Sequence, residues 1–105
     1  MAFGFPAYHT ELYTPPDGHG RDLYTIVEQL IASRSWAIKE RGPKRIKAST
    51  GLGFRSWGEH MFIDFLPNGK LSITSKCALV TQCFDWGKNQ ENVQQFIVDL
   101  HPLLV

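Results

Sequence analysis

The spacing of apolar residues predicts an α+β domain: an antiparallel sheet of four to five strands, built from two β-hairpins, with an N-terminal and a C-terminal helix on one face. The expected order is α-β-β-β-β-(β)-α. Three observations carry this reading. Leu23, Ile26, Val27, Leu30 and Ile31 recur at i, i+3, i+4, i+7 and i+8, the stripe of an amphipathic helix. Val93, Phe96, Ile97 and Leu100 repeat that stripe near the other end of the chain. Between them, alternating apolar and polar runs flank two turn signals, Arg41-Gly42-Pro43 and Pro67-Asn68-Gly69. Strands joined by such short turns are antiparallel, and two one-sided helices need one apolar sheet face to cover.

A chain of 105 residues, 43% hydrophobic and 20% charged, suits one domain spanning residues 1–105 and one core. Residues 1–20 hold Pro6, Pro15, Pro16, Gly18 and Gly20 and no sustained period, which predicts an irregular lead-in. Phe3, Phe5, Tyr8, Leu12 and Tyr13 make that segment too apolar for a solvated tail, so it is expected to pack on the domain. The first helix follows, with Asp22 as its N-cap because a carboxylate there accepts from the free amides of the first turn. It should end near Ser33 or Arg34.

The first hairpin is expected over residues 36–40 and 44–50. A three-residue loop would pair Glu40 with Lys44, Ile38 with Ile46 and Trp36 with Ala48, keeping the apolar side chains on one face. A two-residue loop would set Ile38 against Lys47 and split them. The glycines of residues 51–58 predict a bend. The second hairpin, residues 61–66 and 70–75, again aligns with a three-residue loop, Phe65 with Leu71 and Ile63 with Ile73. Gly69 would then take the left-handed position of a type I turn plus bulge. Residues 77–86 read as either a fifth strand or a crossing loop. In the closing helix Asn89 is the expected N-cap, and Pro102 marks the end of regular structure.

In this register the inner sheet face carries Trp36, Ile38, Ile46, Ala48, Met61, Ile63, Phe65, Leu71 and Ile73. The outer face shows Ala37, Lys39, Arg45, Lys47, Phe62, Asp64, Leu66, Ser72 and Thr74. Phe62 and Leu66 are out of place on a wet face and suggest a cover, from the lead-in, a second subunit or a ligand.

Charge is the clearest functional signal. From Arg34 to Arg55 there are seven cations and one acid, a net of +6, while the rest of the chain holds four cations and nine acids, a net of −5. The expected register sets Lys39 opposite Arg45, and like charges facing across strands call for compensation. A nucleic-acid backbone or another anionic ligand would supply it, with Trp57 and Phe54 as stacking surfaces. The competing accounts are a hairpin edge protected from aggregation, and cations paired with acids elsewhere in the fold. The candidate binding residues are Lys39, Arg41, Arg45, Lys47, Arg55 and Trp57.

The other polar clusters are weaker. The glycine loop of residues 51–58 lacks the lysine-serine/threonine ending of a phosphate loop, and no helix follows it. His9, His19, His60 and His101 show no metal-ligand spacing with one another or with a cysteine, so no metal and no cofactor is expected. Cys77 and Cys83 match no common zinc or redox spacing. On a single strand they would lie about 20 Å apart, so both are expected as thiols in a reducing compartment. No 18-residue apolar run spans a membrane, and the N-terminus lacks a basic region with an apolar core, so no membrane contact and a cytoplasmic setting are expected.

Together these observations favour a non-enzymatic binding or interaction module. It would use the basic hairpin and outer sheet face for a protein partner, self-association, or an anionic ligand or nucleic acid. The alternative is a small enzyme or small-molecule binder whose pocket gathers His60, Cys83, Asp85 and Asn89 near the glycine bend.

Overall fold

The computed structural model describes residues 8–16, 22–50, 59–77 and 88–104. Along the chain these form β1 (Tyr8–Tyr13), α1 (Leu23–Ser33), β2 (Ala37–Arg41), β3 (Arg45–Ser49), β4 (Glu59–Phe65), β5 (Leu71–Cys77) and α2 (Lys88–Leu104). The described strands make one antiparallel sheet in the order β1-β5-β4-β3-β2. The mixed α+β class with two helices stands. The expected order does not, because a strand precedes the first helix.

That strand, β1, lies inside the segment expected to be irregular. Its six residues alternate Tyr8, Thr10 and Leu12 outward with His9, Glu11 and Tyr13 inward, and it pairs with β5 without interruption from Tyr8↔Lys76 to Tyr13↔Leu71. The prolines that argued against structure flank the strand and do not interrupt it. The possible fifth strand at residues 77–86 falls, beyond Cys77, outside the described residues.

Helix α1 forms as its stripe dictates. Ile26, Val27, Leu30 and Ile31 are buried, and the Asp22 side chain accepts from the Tyr24 amide at 3.1 Å and from the Thr25 hydroxyl at 2.7 Å. The helix stops on a Schellman motif. Ser35 takes φ +61°, its amide bonds to the Ala32 carbonyl at 3.0 Å, and the Trp36 amide bonds to the Ile31 carbonyl at 3.3 Å. The turn delivers Trp36 onto Phe96 of α2, the two rings stacked with centroids 6.0 Å apart.

The first hairpin corrects the expected register. Gly42 donates to the Arg45 carbonyl at 2.8 Å across a two-residue loop, and Arg41 faces Ile46 while Glu40 faces Lys47. A bulge between Ile38 and Glu40 then absorbs one residue, so that Ile38 faces Ala48 and Ala37 faces Ser49. The two-residue loop sets the pairing beside the turn, and the bulge at Lys39 returns Ile38 to the inner face. The second hairpin has the expected register, Phe65↔Leu71 and Ile63↔Ile73, with Gly69 at φ +83°.

Helix α2 packs Val93, Phe96, Leu100 and Leu104 into the core with the α1 stripe and the inner sheet face. All nine residues expected on that face are buried or half-buried in this cluster. Two expectations about α2 fail. Asn89 lies in the first turn with a fully buried side chain, so it does not cap the helix. The helix also runs through Pro102 to Leu104. Near the end of a helix a proline interrupts little, and burial of Leu104 holds the last turn against the core.

No helix among the described residues is long and apolar enough to cross a membrane. Cys77 is disulfide-bonded, not the expected thiol. The separation argued from sequence assumed one strand running from Cys77 to Cys83, whereas β5 closes at Cys77. The argument for a reducing compartment falls with it.

Candidate binding face

The strand pairing decides which side chains share the outer face. Cross-strand neighbours place Tyr8, Thr10 and Leu12 of β1 beside Ser72, Thr74 and Lys76 of β5. These lie next to His60, Phe62 and Asp64 of β4, then Arg45, Lys47 and Ser49 of β3. Glu40 and Ala37 of β2 complete the face. A shallow groove of about 370 Å³ crosses it, lined by Tyr8, Thr10, Arg45, Phe62, Thr74 and Lys76.

Phe62 sits at the centre. The Arg45 guanidinium lies 4.9 Å from its ring centre, the Lys47 ammonium 5.7 Å, and the His60 ring meets it edge-on at 6.4 Å. These contacts account for an aromatic side chain on a polar face, since the cations cover much of its π-surface. Arg45 also forms a two-pronged ion pair with Asp64, at 2.5 and 3.2 Å. The expected clash of Lys39 with Arg45 is therefore absent, because the actual register sets Arg45 opposite Asp64.

The basic segment divides into two groups. Arg34 reaches Asp99 of α2, Arg41 bonds Glu28 of α1 at 2.6 Å, and Arg45 bonds Asp64, so these three are neutralised within the fold. Arg41 points to the helix side and is not part of the outer face, since it pairs with the buried Ile46. Lys39, Lys44 and Lys47 of the segment, and Lys76 of β5, form no ion pair among the described residues. The combined field of three of them is felt at His60, whose pKa is held below the ordinary histidine value first by burial and then by Lys47, Lys39 and Lys76. Four cations, Lys39, Arg45, Lys47 and Lys76, thus share the face with two carboxylates, Glu40 and Asp64. Arg55 and Trp57 lie outside the described residues.

The alternative pocket is not assembled by what is described. His60 is on the outer face, facing Ser49 and Lys76 across its neighbouring strands, while Asn89 is buried beneath the inner face. Cys83 and Asp85 lie outside the described residues. Asn89 belongs instead to a buried polar chain. Its Oδ1 accepts from the Ser75 hydroxyl at 2.7 Å, and its Nδ2 donates to Cys77 Sγ at 3.4 Å. Asn92 Nδ2 donates both to Ser75 Oγ at 3.1 Å and to Glu59 Oε1 at 2.8 Å, and Glu59 accepts from the Thr50 hydroxyl at 3.0 Å. Each buried donor named here has its acceptor, so the chain ties α2 to β4 and β5 as structure.

Sequence reasoning missed Tyr8, Thr10 and Lys76 as members of the face. The alternation of Tyr8-His9-Thr10-Glu11-Leu12-Tyr13 was the available signal for β1, and extending the Ser72, Thr74 series by one step would have reached Lys76. Compared with known proteins, the chain matches no protein-family model and no curated protein.

Proposed function

We propose that this domain is a non-enzymatic binding module whose outer sheet face takes an anionic polymer, with single-stranded nucleic acid the best chemical fit. The observation that supports this most directly is the convergence of Lys39, Lys47 and Lys76, unpaired among the described residues, on His60, with Lys47 also over the Phe62 ring. Cations that lack a carboxylate partner lose least on meeting a phosphate, because no internal ion pair has to break. Tyr8, 57% exposed at the end of the groove, offers a base an open ring. The open, shallow groove suits a strand laid across the sheet better than a small molecule enclosed in a cavity.

Titration of a labelled single-stranded oligonucleotide at two salt concentrations tests the reading. Binding should weaken as salt rises, and Lys47→Glu and Lys76→Glu should each flatten the log–log salt slope by about 0.7 and lower affinity. Absence of binding at low salt, or affinity indifferent to salt and to both substitutions, would overturn it.

A further inference from the structure

The two edges of the sheet are built differently. At one end, β2 carries a bulge at Lys39, its turn contains Pro43 and Lys44, and Lys39, Glu40 and Arg41 are all exposed. These are the devices that keep an edge strand from pairing with another chain. At the other end, β1 is less protected: it has no bulge, although Glu11 is an inward-facing charge and Pro15 and Pro16 follow the strand. Its register with β5 is unbroken over all six residues, and Tyr8–Tyr13 contains no lysine, arginine or proline. Two large apolar side chains on this one short strand, Tyr8 at 57% and Leu12 at 65%, are well exposed.

We infer that β1 is a homodimerisation edge, pairing antiparallel with β1 of a second copy about a two-fold axis at Thr10. The residues themselves select this partner and register. Side chains must keep to their own faces, so the axis passes through a residue and not between two. Centred on Thr10, Tyr8 faces the partner's Leu12, His9 faces the partner's Glu11, and Thr10 faces the partner's Thr10. Apolar then meets apolar on the outer face, and an imidazole meets a carboxylate on the inner one. His9 and Glu11 already bond within one chain at 2.7 Å, so the two pairs would close into a four-membered cluster. Centred on Glu11, the same strand would set Glu11 against its own copy, a like-charge contact. An isologous pairing of this kind is self-limiting, because it consumes the straight, unbulged edge of the described sheet and leaves the bulged edge outward. The inference does not depend on the anion-binding reading, although Tyr8 and Thr10 also line the groove.

Light scattering across a concentration series should give twice the chain mass. Leu12→Lys, at a position too exposed to matter to the core, should raise the dimer dissociation constant about tenfold or more, since both copies lose the contact with Tyr8. Register is read by cysteine cross-linking under mild oxidation. Thr10→Cys should cross-link, because the two sulfurs face each other. Leu12→Cys should not, because its copy sits four residues along, about 14 Å away. A monomer at every concentration, a dimer indifferent to Leu12→Lys, or cross-linking at position 12 in preference to 10 would overturn the inference. A dimer that binds no oligonucleotide would count against the anion-binding reading alone.

Discussion

At His60 partial burial and then three lysines act on one imidazole, and the consequence has a definite sign. The folded state holds its pKa below the unfolded value, so the folded chain binds this proton less readily than the unfolded chain does. Stability is therefore unaffected by His60 above the ordinary histidine range, near about pH 6.5. It declines as pH falls below that range, and the loss is complete once pH passes beneath the folded pKa. Denaturant titrations from neutral to mildly acidic pH should show the decline, and His60→Gln should remove it. An anion seated among Lys39, Lys47 and Lys76 cancels part of their field, so ligand should raise the His60 pKa when followed by proton NMR. An unmoved pKa on saturation would place the ligand elsewhere. The candidate residues were legible only in part at this scale. Charge counting found Lys39, Arg45 and Lys47, but it could not separate Arg45, which is neutralised by Asp64, from Lys47, which is not. That distinction depends on which side chain stands across the strand.

Elements end where backbone geometry allows, and here two left-handed positions show the rule from both sides. Gly69, at φ +83°, occupies a conformation that costs glycine little, and the turn signal in the sequence identified it. Ser35, at φ +61°, holds the equivalent position after α1, where a side chain makes the same conformation expensive. Ser35→Gly should therefore stabilise the domain by about 0.5–1 kcal/mol, the relief of left-handed strain less the added entropy of the unfolded chain. Thermal or urea unfolding would measure it, and a destabilised variant would mean that the serine side chain makes a contact the motif needs. The Lys39 bulge shows a different limit. The alternation was read correctly, but the loop is one residue shorter than expected, and no single regular register satisfies the short loop and the apolar face together. Inserting one residue on the edge strand does, and it also leaves that edge poorly suited to pairing.

Across the whole molecule, charge segregation along the chain is undone in part by folding, since three of the seven cations between Arg34 and Arg55 pair with acids. Arg34 crosses from the end of α1 to Asp99 on α2 and lies over Trp36 at 4.6 Å, while Arg41 spans from β2 to Glu28 on α1. These two bridges differ in setting. The Arg34 side chain is 23% exposed and that of Arg41 60%. Asp99→Asn should cost about 1.5 kcal/mol by leaving a partly buried guanidinium with a weaker acceptor, whereas Glu28→Gln should cost about 0–1 kcal/mol. Equal effects in urea unfolding would show that burial does not govern these pairs.

Local patterns in the chain were enough to read the α+β class, the stripe and boundaries of α1, the inner sheet face and the second hairpin. Each of these follows from periodicity or turn chemistry within a short window. Long-range pairing, by contrast, is what makes Tyr8–Tyr13 an edge strand on β5 and Asn89 a buried link to Ser75 and Cys77 instead of a cap. It also decides which hairpin cations stay without a carboxylate partner among the described residues. The physical reason is the same in each case. Strand pairing and ion pairing join residues far apart in the chain, as with Thr10 and Thr74 or Arg34 and Asp99, and local spacing carries no record of such partners.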